Sequence, residues 1–181
     1  MTPADRDEFA SFATAIAPRL RRTAYLMCGN WHSAEDLTQT TLTKLFASWN
    51  RISRHDNLGG YATRTLLNAY LAERRRRRWS ELPTADLPDR VARIDSPEQR
   101  MDIMTALAEL PPRARAVVVL RYWSDQSIEQ VADLLGCSPG NVKSQSARAL
   151  QRLRALLGEE LADPGLSADA HSDATTGVGR D

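Results

Sequence analysis

A chain of 181 residues with 42% apolar side chains holds material for one ordinary domain or two small ones, and its 6% aromatic content suits small helical units. No apolar run approaches the ~18 residues of a membrane span, and the N-terminus lacks a basic-then-apolar leader. Two isolated cysteines, Cys28 and Cys137, make neither a disulfide framework nor a metal pattern, so a cytoplasmic location is expected. The formal net charge of +1 conceals a division. Residues 1–79 carry 13 basic and 7 acidic side chains, a net of +6, and residues 98–157 carry 8 and 6, a net of +2. Residues 80–97 are net −2 and residues 158–181 net −5. Two basic blocks set apart by an acidic stretch point to a polyanion partner.

From about Asp5 to Met27 the spacing predicts a helix, with Phe9, Phe12, Ile16, Leu20 and Met27 close to one face. Gly29-Asn30 breaks it. Ser33 is expected to open a second helix, with Asp36 three residues on as an acidic variant of the capping box. Its inward side is Ala34, Thr38, Leu42, Leu45 and Trp49. Asp36, Gln39, Thr40 and Thr43 form a polar stripe opposite, which on its own reads as a solvated face. Arg51 to Gly60 reads as a polar loop holding His55, Asp56 and Asn57, and the histidine has no second metal ligand at useful spacing. A third helix from about Tyr61 to Trp79 buries Leu66, Leu67, Tyr70 and Leu71. Tyr61, Thr65, Asn68, Ala72 and Arg75 lie along another of its faces. It finishes in Arg74 to Arg78, and five successive arginines must surround the helix end with positive charge. That placement suits the helix dipole. It suits phosphate equally well, each contact being worth about one unit of salt dependence.

Ser80 to Asp95 has two prolines and no apolar period, and reads as a linker. Ser96-Pro97-Glu98 starts a helix to about Glu109, with Met101, Met104, Leu107 and Ala108 inward. Leu110-Pro111-Pro112 then turns the chain into an apolar core helix, Ala114 to Trp123. Ser127 caps a short helix with Ile128, Val131, Ala132 and Leu135 at helical spacing, and Gly136 ends it. Ser138-Pro139 is a second start signal. The new helix buries Val142, Ser146, Ala149 and Leu153; Asn141, Ser144, Arg148 and Gln151 point the other way, with Lys143 and Gln145 on the flanks. Two helices about a tight turn, the second presenting polar and basic groups, describe a helix-turn-helix, against the alternative of an ordinary hairpin with a solvated face. After Leu157 the chain has nothing to bury and reads as a disordered acidic tail. Strand signals are absent. The expected fold class is therefore all-α: two small helical domains (1–79 and 98–157) joined by a flexible acidic linker (80–97), with a tail (158–181). There is no glycine-rich phosphate loop, His/Cys cluster or nucleophile elbow, so no catalysis, metal or cofactor is expected.

Four segments then occur in a telling order: Ala34-Glu35-Asp36-Leu37-Thr38-Gln39-Thr40-Thr41, the Tyr61-to-Arg78 helix, Glu109-Leu110-Pro111-Pro112-Arg113-Ala114-Arg115-Ala116-Val117, and Gly140-Asn141-Val142-Lys143-Ser144. Together they resemble a bacterial RNA polymerase sigma factor of the small extracytoplasmic-function group, over about Asp5 to Leu157. The resemblance implies that the helix matching Ser33–Trp49 docks on the clamp helices of core RNA polymerase through Asp36, Gln39, Thr40 and Thr43. It implies that the loop from Ser53 to Leu58 and the third helix melt and read the minus-ten promoter element. The contact set there is His55, Asp56, Asn57, Tyr61, Arg64, Thr65, Asn68 and Arg75, with Asn68 near a flipped base and Tyr61 close to the melted strand. The minus-thirty-five element would be read in the major groove by Asn141, Lys143, Ser144, Gln145 and Arg148. The polymerase flap and an anti-sigma factor complete the partners the resemblance suggests, beside promoter DNA.

Gln145, Ser146 and Ala147 depart from the arginine, large apolar residue and aromatic or histidine that many members carry, so the promoter sequence is not transferable. The acidic tail also lies outside the family pattern. The 18-residue linker reaches at most ~60 Å, against ~58 Å for ~17 base pairs of B-DNA. Two other readings remain: a helix-turn-helix regulator with an N-terminal sensor or dimerisation domain, and a nucleic-acid-processing enzyme. The regulator leaves the arginine-rich helix and the polar stripe poorly explained, and the enzyme lacks any catalytic motif.

Overall fold

The computed structural model describes residues 2–52, 57–79 and 97–157. Its helices are α1 (Pro3–Cys28), α2 (Trp31–Ile52), α3 (Leu58–Trp79), α4 (Pro97–Ala108), α5 (Pro112–Val118), α6 (Ile128–Leu135) and α7 (Pro139–Leu157). α5 runs on into a π-helical turn, Val119–Trp123. No strand occurs among the described residues, whose fold is all-α, as their periodicity requires. Residues 80–96 of the expected linker and the tail lie outside the described residues, as do His55 and Asp56, and Pro97 is the first residue of α4.

Helix starts are set by short polar side chains that satisfy first-turn N–H groups, and three differ from expectation. α1 begins at Pro3 rather than near Asp5, because Thr2 and Asp5 form a reciprocal capping box. α2 begins at Trp31: Asn30, not Ser33, is the cap, its side-chain oxygen accepting the Ser33 N–H at 2.7 Å. Asp36 plays no part in that cap and instead faces His32 one turn back, at 3.6 Å. Asn57 caps α3 by accepting the Gly60 N–H at 2.7 Å, so Gly59 and Gly60 belong to the first helical turn and not to a loop. The expected ends of the helix-turn-helix hold without change. Ser127 and Gln130 form a capping box, Gly136 takes the left-handed conformation (φ 61°), and Ser138 accepts the Asn141 N–H.

α1, α2 and α3 pack around Trp49, which is 1% exposed and meets Phe9 and Phe12 at ring-centroid distances of 5.1 and 5.2 Å. The same core continues through Leu66 and Leu67 of α3 into Val117 of α5, Leu120 of the π-turn, Val131 of α6 and Val142 of α7. A second cluster joins Ala106, Leu107 and Leu110 to Val118, Ala149 and Leu153. Ala106 therefore takes the inward place expected of Ala108, which is exposed beside the Pro111-Pro112 corner.

The two groups of helices are also joined by arginines that donate to main-chain carbonyls. Arg115, 6% exposed, donates from Nη1 to Met27 O at 2.9 Å and from Nη2 to the carbonyls of Ala108 and Leu110. Arg19 reaches Ser124 O at 3.4 Å, and Arg64 reaches Asp133 O at 3.0 Å. Within the C-terminal group, Arg113 donates to Leu135 O at 2.8 Å.

Trp49 should carry a large share of the stability of α1–α3. Its indole N–H is buried with no acceptor, so the ring contributes through packing alone. Trp49→Ala should cost ~3–5 kcal/mol. Trp49→Phe, which removes an N–H that bonds to nothing, should cost only ~1–2 kcal/mol. Urea denaturation of the two variants checks the difference.

Candidate nucleic-acid and polymerase interface

α3 places the minus-ten candidates along one face. Tyr61, Arg64, Thr65, Asn68 and Arg75 recur at helical spacing; Arg64, Asn68 and Arg75 are exposed, Tyr61 and Thr65 half-buried. The fourteen steps from Tyr61 to Arg75 cover ~21 Å at ~1.5 Å per residue, enough for about six stacked bases at ~3.4 Å each. Tyr61 packs its ring partly against the core, and the Thr65 hydroxyl donates to Tyr61 O at 2.9 Å. Asn57 sits at the head of this helix with its amide engaged as the cap, so it has a structural role that the sequence reading did not assign.

The arginine run divides. Arg74 donates to Cys28 O at 3.2 Å and lies over the Tyr70 ring, 5.5 Å from its centroid. Arg76 is bonded to Glu73 twice, at 3.0 and 3.2 Å. Arg75 points outward from the exposed face, and the side chains of Arg77 and Arg78 lie outside the described residues. Two of the five arginines thus hold the protein's own groups rather than standing ready for phosphate. Burial pushes the Tyr70 hydroxyl above its ordinary pKa against the pull of Arg115 and Arg74. Burial also lowers the Arg115 guanidinium from its ordinary value, and Arg74 pushes it the same way.

On α2 the stripe Asp36, Gln39, Thr40 and Thr43 is exposed throughout, opposite the buried Ala34, Leu37, Thr38, Thr41, Leu45 and Trp49. Gln39 donates to Glu35 at 3.3 Å, and Glu35 pairs with Arg21 of α1 at 3.5 Å. Lys44, one turn beyond Thr40, extends the stripe; its i,i+4 spacing was the signal, and the sequence reading passed over it.

α7 buries Val142, Ser146, Ala149 and Leu153, as expected. Asn141, Lys143, Ser144 and Arg148 are exposed, and Gln145 is half-buried. The Gln145 amide donates to Asn141 Oδ1 at 2.6 Å, so these two candidates form one unit, while Lys143 and Arg148 extend from the helix. Small Ser146 lies within the packed stripe with its hydroxyl unbonded. Tyr122 and Trp123, 43% and 49% exposed at the end of the π-turn, form an aromatic patch that the sequence reading absorbed into the core helix.

An exposed polar helix set on a helix-turn-helix, together with a helix bearing exposed basic groups, is the architecture of a nucleic-acid-binding protein. Comparison with known proteins gives the family. The model of sigma-70 region 2 matches residues 8–80, and that of sigma-70 region 4 matches residues 100–153. The RNA polymerase sigma-E factor of Streptomyces antibioticus is 42% identical, over 90% of this chain and 89% of its own length. The ECF RNA polymerase sigma factor SigE of Mycolicibacterium smegmatis is 36% identical, over 84% of this chain and 62% of its own. Among solved structures, the sigma factor RpoE of Bartonella quintana, in complex with the anti-sigma factor NepR, aligns with a TM-score of 0.69 and 28% identity, covering 83% of this chain and 96% of that one. The chain belongs to the sigma-70 family of RNA polymerase sigma factors, in its extracytoplasmic-function group. Among the described residues no helix is long and apolar enough to cross a membrane.

The cap role of Asn57 gives a prediction that needs no DNA. Asn57→Ala should cost ~1 kcal/mol, and Asn57→Asp, which keeps an acceptor for the Gly60 N–H, should cost little. Thermal melting of both variants provides the check.

Proposed function

We infer that this protein is a promoter-specificity subunit: it binds core RNA polymerase and directs initiation at promoters whose two elements it reads. The carrying observation is that one chain presents both a helix-turn-helix with an exposed Lys143/Arg148 face and a basic helix with an exposed Arg64/Asn68 face, within segments matching regions 4 and 2. In this reading residues 1–79 form the polymerase-docking and minus-ten unit, and residues 98–157 the minus-thirty-five unit. The α2 stripe meets the clamp helices. Asn68 and Tyr61 act on the melted strand, where stacking and base-edge hydrogen bonds are the available chemistry. Lys143 holds phosphate and Arg148 reads a base edge. The protein acts in the cytoplasm with no catalysis of its own. An antagonist of the kind bound to the Bartonella quintana sigma factor is a natural further partner.

The decisive experiment is run-off transcription with core polymerase on genomic promoter fragments. Two sets of variants assign the faces. Asp36→Arg with Gln39→Ala should strongly weaken core-polymerase affinity by leaving an unmatched charge against the clamp. Because Asp36 caps nothing, stability should stay within ~0.5 kcal/mol of the parent. Unchanged affinity in this folded variant would return the stripe to a solvated face. Arg148→Ala should cost ~1–3 kcal/mol at one promoter position, whereas Lys143→Ala should weaken all sequences evenly. An equal loss on every promoter variant from Arg148→Ala removes its reading role.

A further inference from the structure

Asn141 and Gln145 stand in the first turns of α7, four residues apart and therefore ~40° apart around its axis. Their amides are joined: Gln145 Nε2 donates to Asn141 Oδ1 at 2.6 Å. The main chain of Asn141 is held as well. Its N–H donates to Ser138 Oγ at 3.2 Å, and its carbonyl accepts the Ser144 hydroxyl at 3.1 Å. Asn141 is exposed and Gln145 half-buried, so the joined amides lie along the helix surface instead of sweeping through solvent. Seven residues beyond Asn141, Arg148 returns to within ~20° of the same line. It stands ~10 Å further along the axis at ~1.5 Å per residue, the span of about three base pairs.

The joined amides differ chemically from either amide alone. An asparagine by itself offers a carbonyl and an NH2 from one group, but here the Asn141 carbonyl is engaged. That bond leaves the Asn141 NH2 as a donor and the Gln145 carbonyl as an acceptor. Exchanging oxygen and nitrogen in both amides leaves the same inventory, with the two residues trading parts. In either assignment the pair presents a donor beside an acceptor. Among the base edges of the major groove, adenine alone matches both on one base, through N7 and N6–H2. Guanine offers two acceptors, which suit arginine; cytosine offers a donor, and thymine an acceptor beside a methyl group. Each of these leaves part of the pair unmatched, and a desolvated amide without a partner costs more than a hydrogen bond returns.

We propose that Asn141 and Gln145 act as one reading unit for adenine in the minus-thirty-five element, within about three base pairs of the base met by Arg148. The proposal deepens the sigma-factor reading and rests on it. Gln145 stands where many members of the family carry arginine, so an adenine preference here marks this chain off from those members. The bond between the amides also sets both side chains before DNA arrives, which reduces the ordering cost of the contact.

The test is a selection by holoenzyme assembled from the full chain and core polymerase. The pool is built on a genomic promoter fragment that the unsubstituted protein transcribes, with its minus-thirty-five element randomised. Sequencing of the retained DNA should show adenine at one position, favoured about fivefold or more over every other base. Gln145→Leu, which cannot join Asn141, should lose that preference and keep the one set by Arg148. Gln145→Arg, whose guanidinium can hold the Asn141 carbonyl while presenting only donors, should turn the preference to guanine. Both variants should keep the parent's helical circular-dichroism signal. A second arm needs no substitution and stands whether or not a variant folds. On a fixed fragment, 7-deazaadenine removes the N7 acceptor and 2-aminopurine removes the N6 donor from the major groove. Each should lower run-off transcription about fivefold or more. Adenine retained by either variant, an equal loss on all sequences from Gln145→Leu, or no adenine preference in the parent each overturns the proposal. An adenine preference that both analogues leave intact belongs to duplex shape and overturns it too. A folded, unsubstituted chain that transcribes no genomic fragment with core polymerase overturns the sigma-factor reading beneath it.

Discussion

The last two carbonyls of α1 are the point on which both halves of the molecule converge. Met27 O accepts from Arg115 of α5 and Cys28 O from Arg74 of α3, while Gly29 turns the chain away in the left-handed conformation (φ 88°). A helix C-terminus carries about half a negative charge on carbonyls that have no partner within the helix. Two guanidinium groups therefore find there a counter-charge supplied by main chain. This explains how Arg115 can lie inside a core that offers it no bonded carboxylate. Three carbonyls share its donors, and only Nε is left unmatched. Moving α1, α3 or α5 independently would strand either a buried charge or a set of helix-end acceptors, each more costly than the bond itself is worth.

The same pairing recurs at two further element ends. Arg64 and Arg113 meet the last turn of α6 at Asp133 and Leu135, and Arg19 meets Ser124 at the end of the π-turn. Such contacts are directional but exchangeable, because the arginine keeps its charge and can transfer its donors to a better acceptor. Apolar burial therefore supplies the cohesion of the helices, through Trp49, Leu66, Leu67 and Leu120. The arginines set how the elements are oriented. In a protein whose ligand is a polyanion, the residues that orient the fold and those that bind the ligand are of one chemical kind. Composition alone cannot separate them, and the run Arg74 to Arg76 shows it: one residue caps α1, one faces solvent and one holds Glu73.

Much of this was legible in the sequence, for a local reason. Helical periodicity and caps depend on residues three or four apart, so the α7 stripe Val142, Ser146, Ala149 and Leu153 and the Ser127 and Gly136 boundaries follow from spacing. The exposed faces of α2 and α3 follow from the same spacing. Where two polar residues compete for one cap, spacing is silent. Asn30 prevailed over Ser33 because the chain leaving Gly29 places its amide oxygen against the Ser33 N–H. Asn57 likewise drew Gly59 and Gly60 into α3.

What only the tertiary structure decided is which partner each arginine takes. Every residue carries a carbonyl, so an arginine-to-carbonyl bond leaves no mark in the sequence, whereas a carboxylate partner would. Arg115 reads as one more basic residue near the start of the apolar core helix until folding brings the end of α1, eighty-eight positions away, within 2.9 Å of its guanidinium. The exchange of Ala106 for Ala108 has a similar origin: the corner at Pro111-Pro112 sets the rotation of α4 against α7, and a twelve-residue helix has too few apolar positions to fix that rotation by itself. Sequence spacing determines which faces exist; packing determines what each face meets, because the meeting depends on distances that no local pattern encodes.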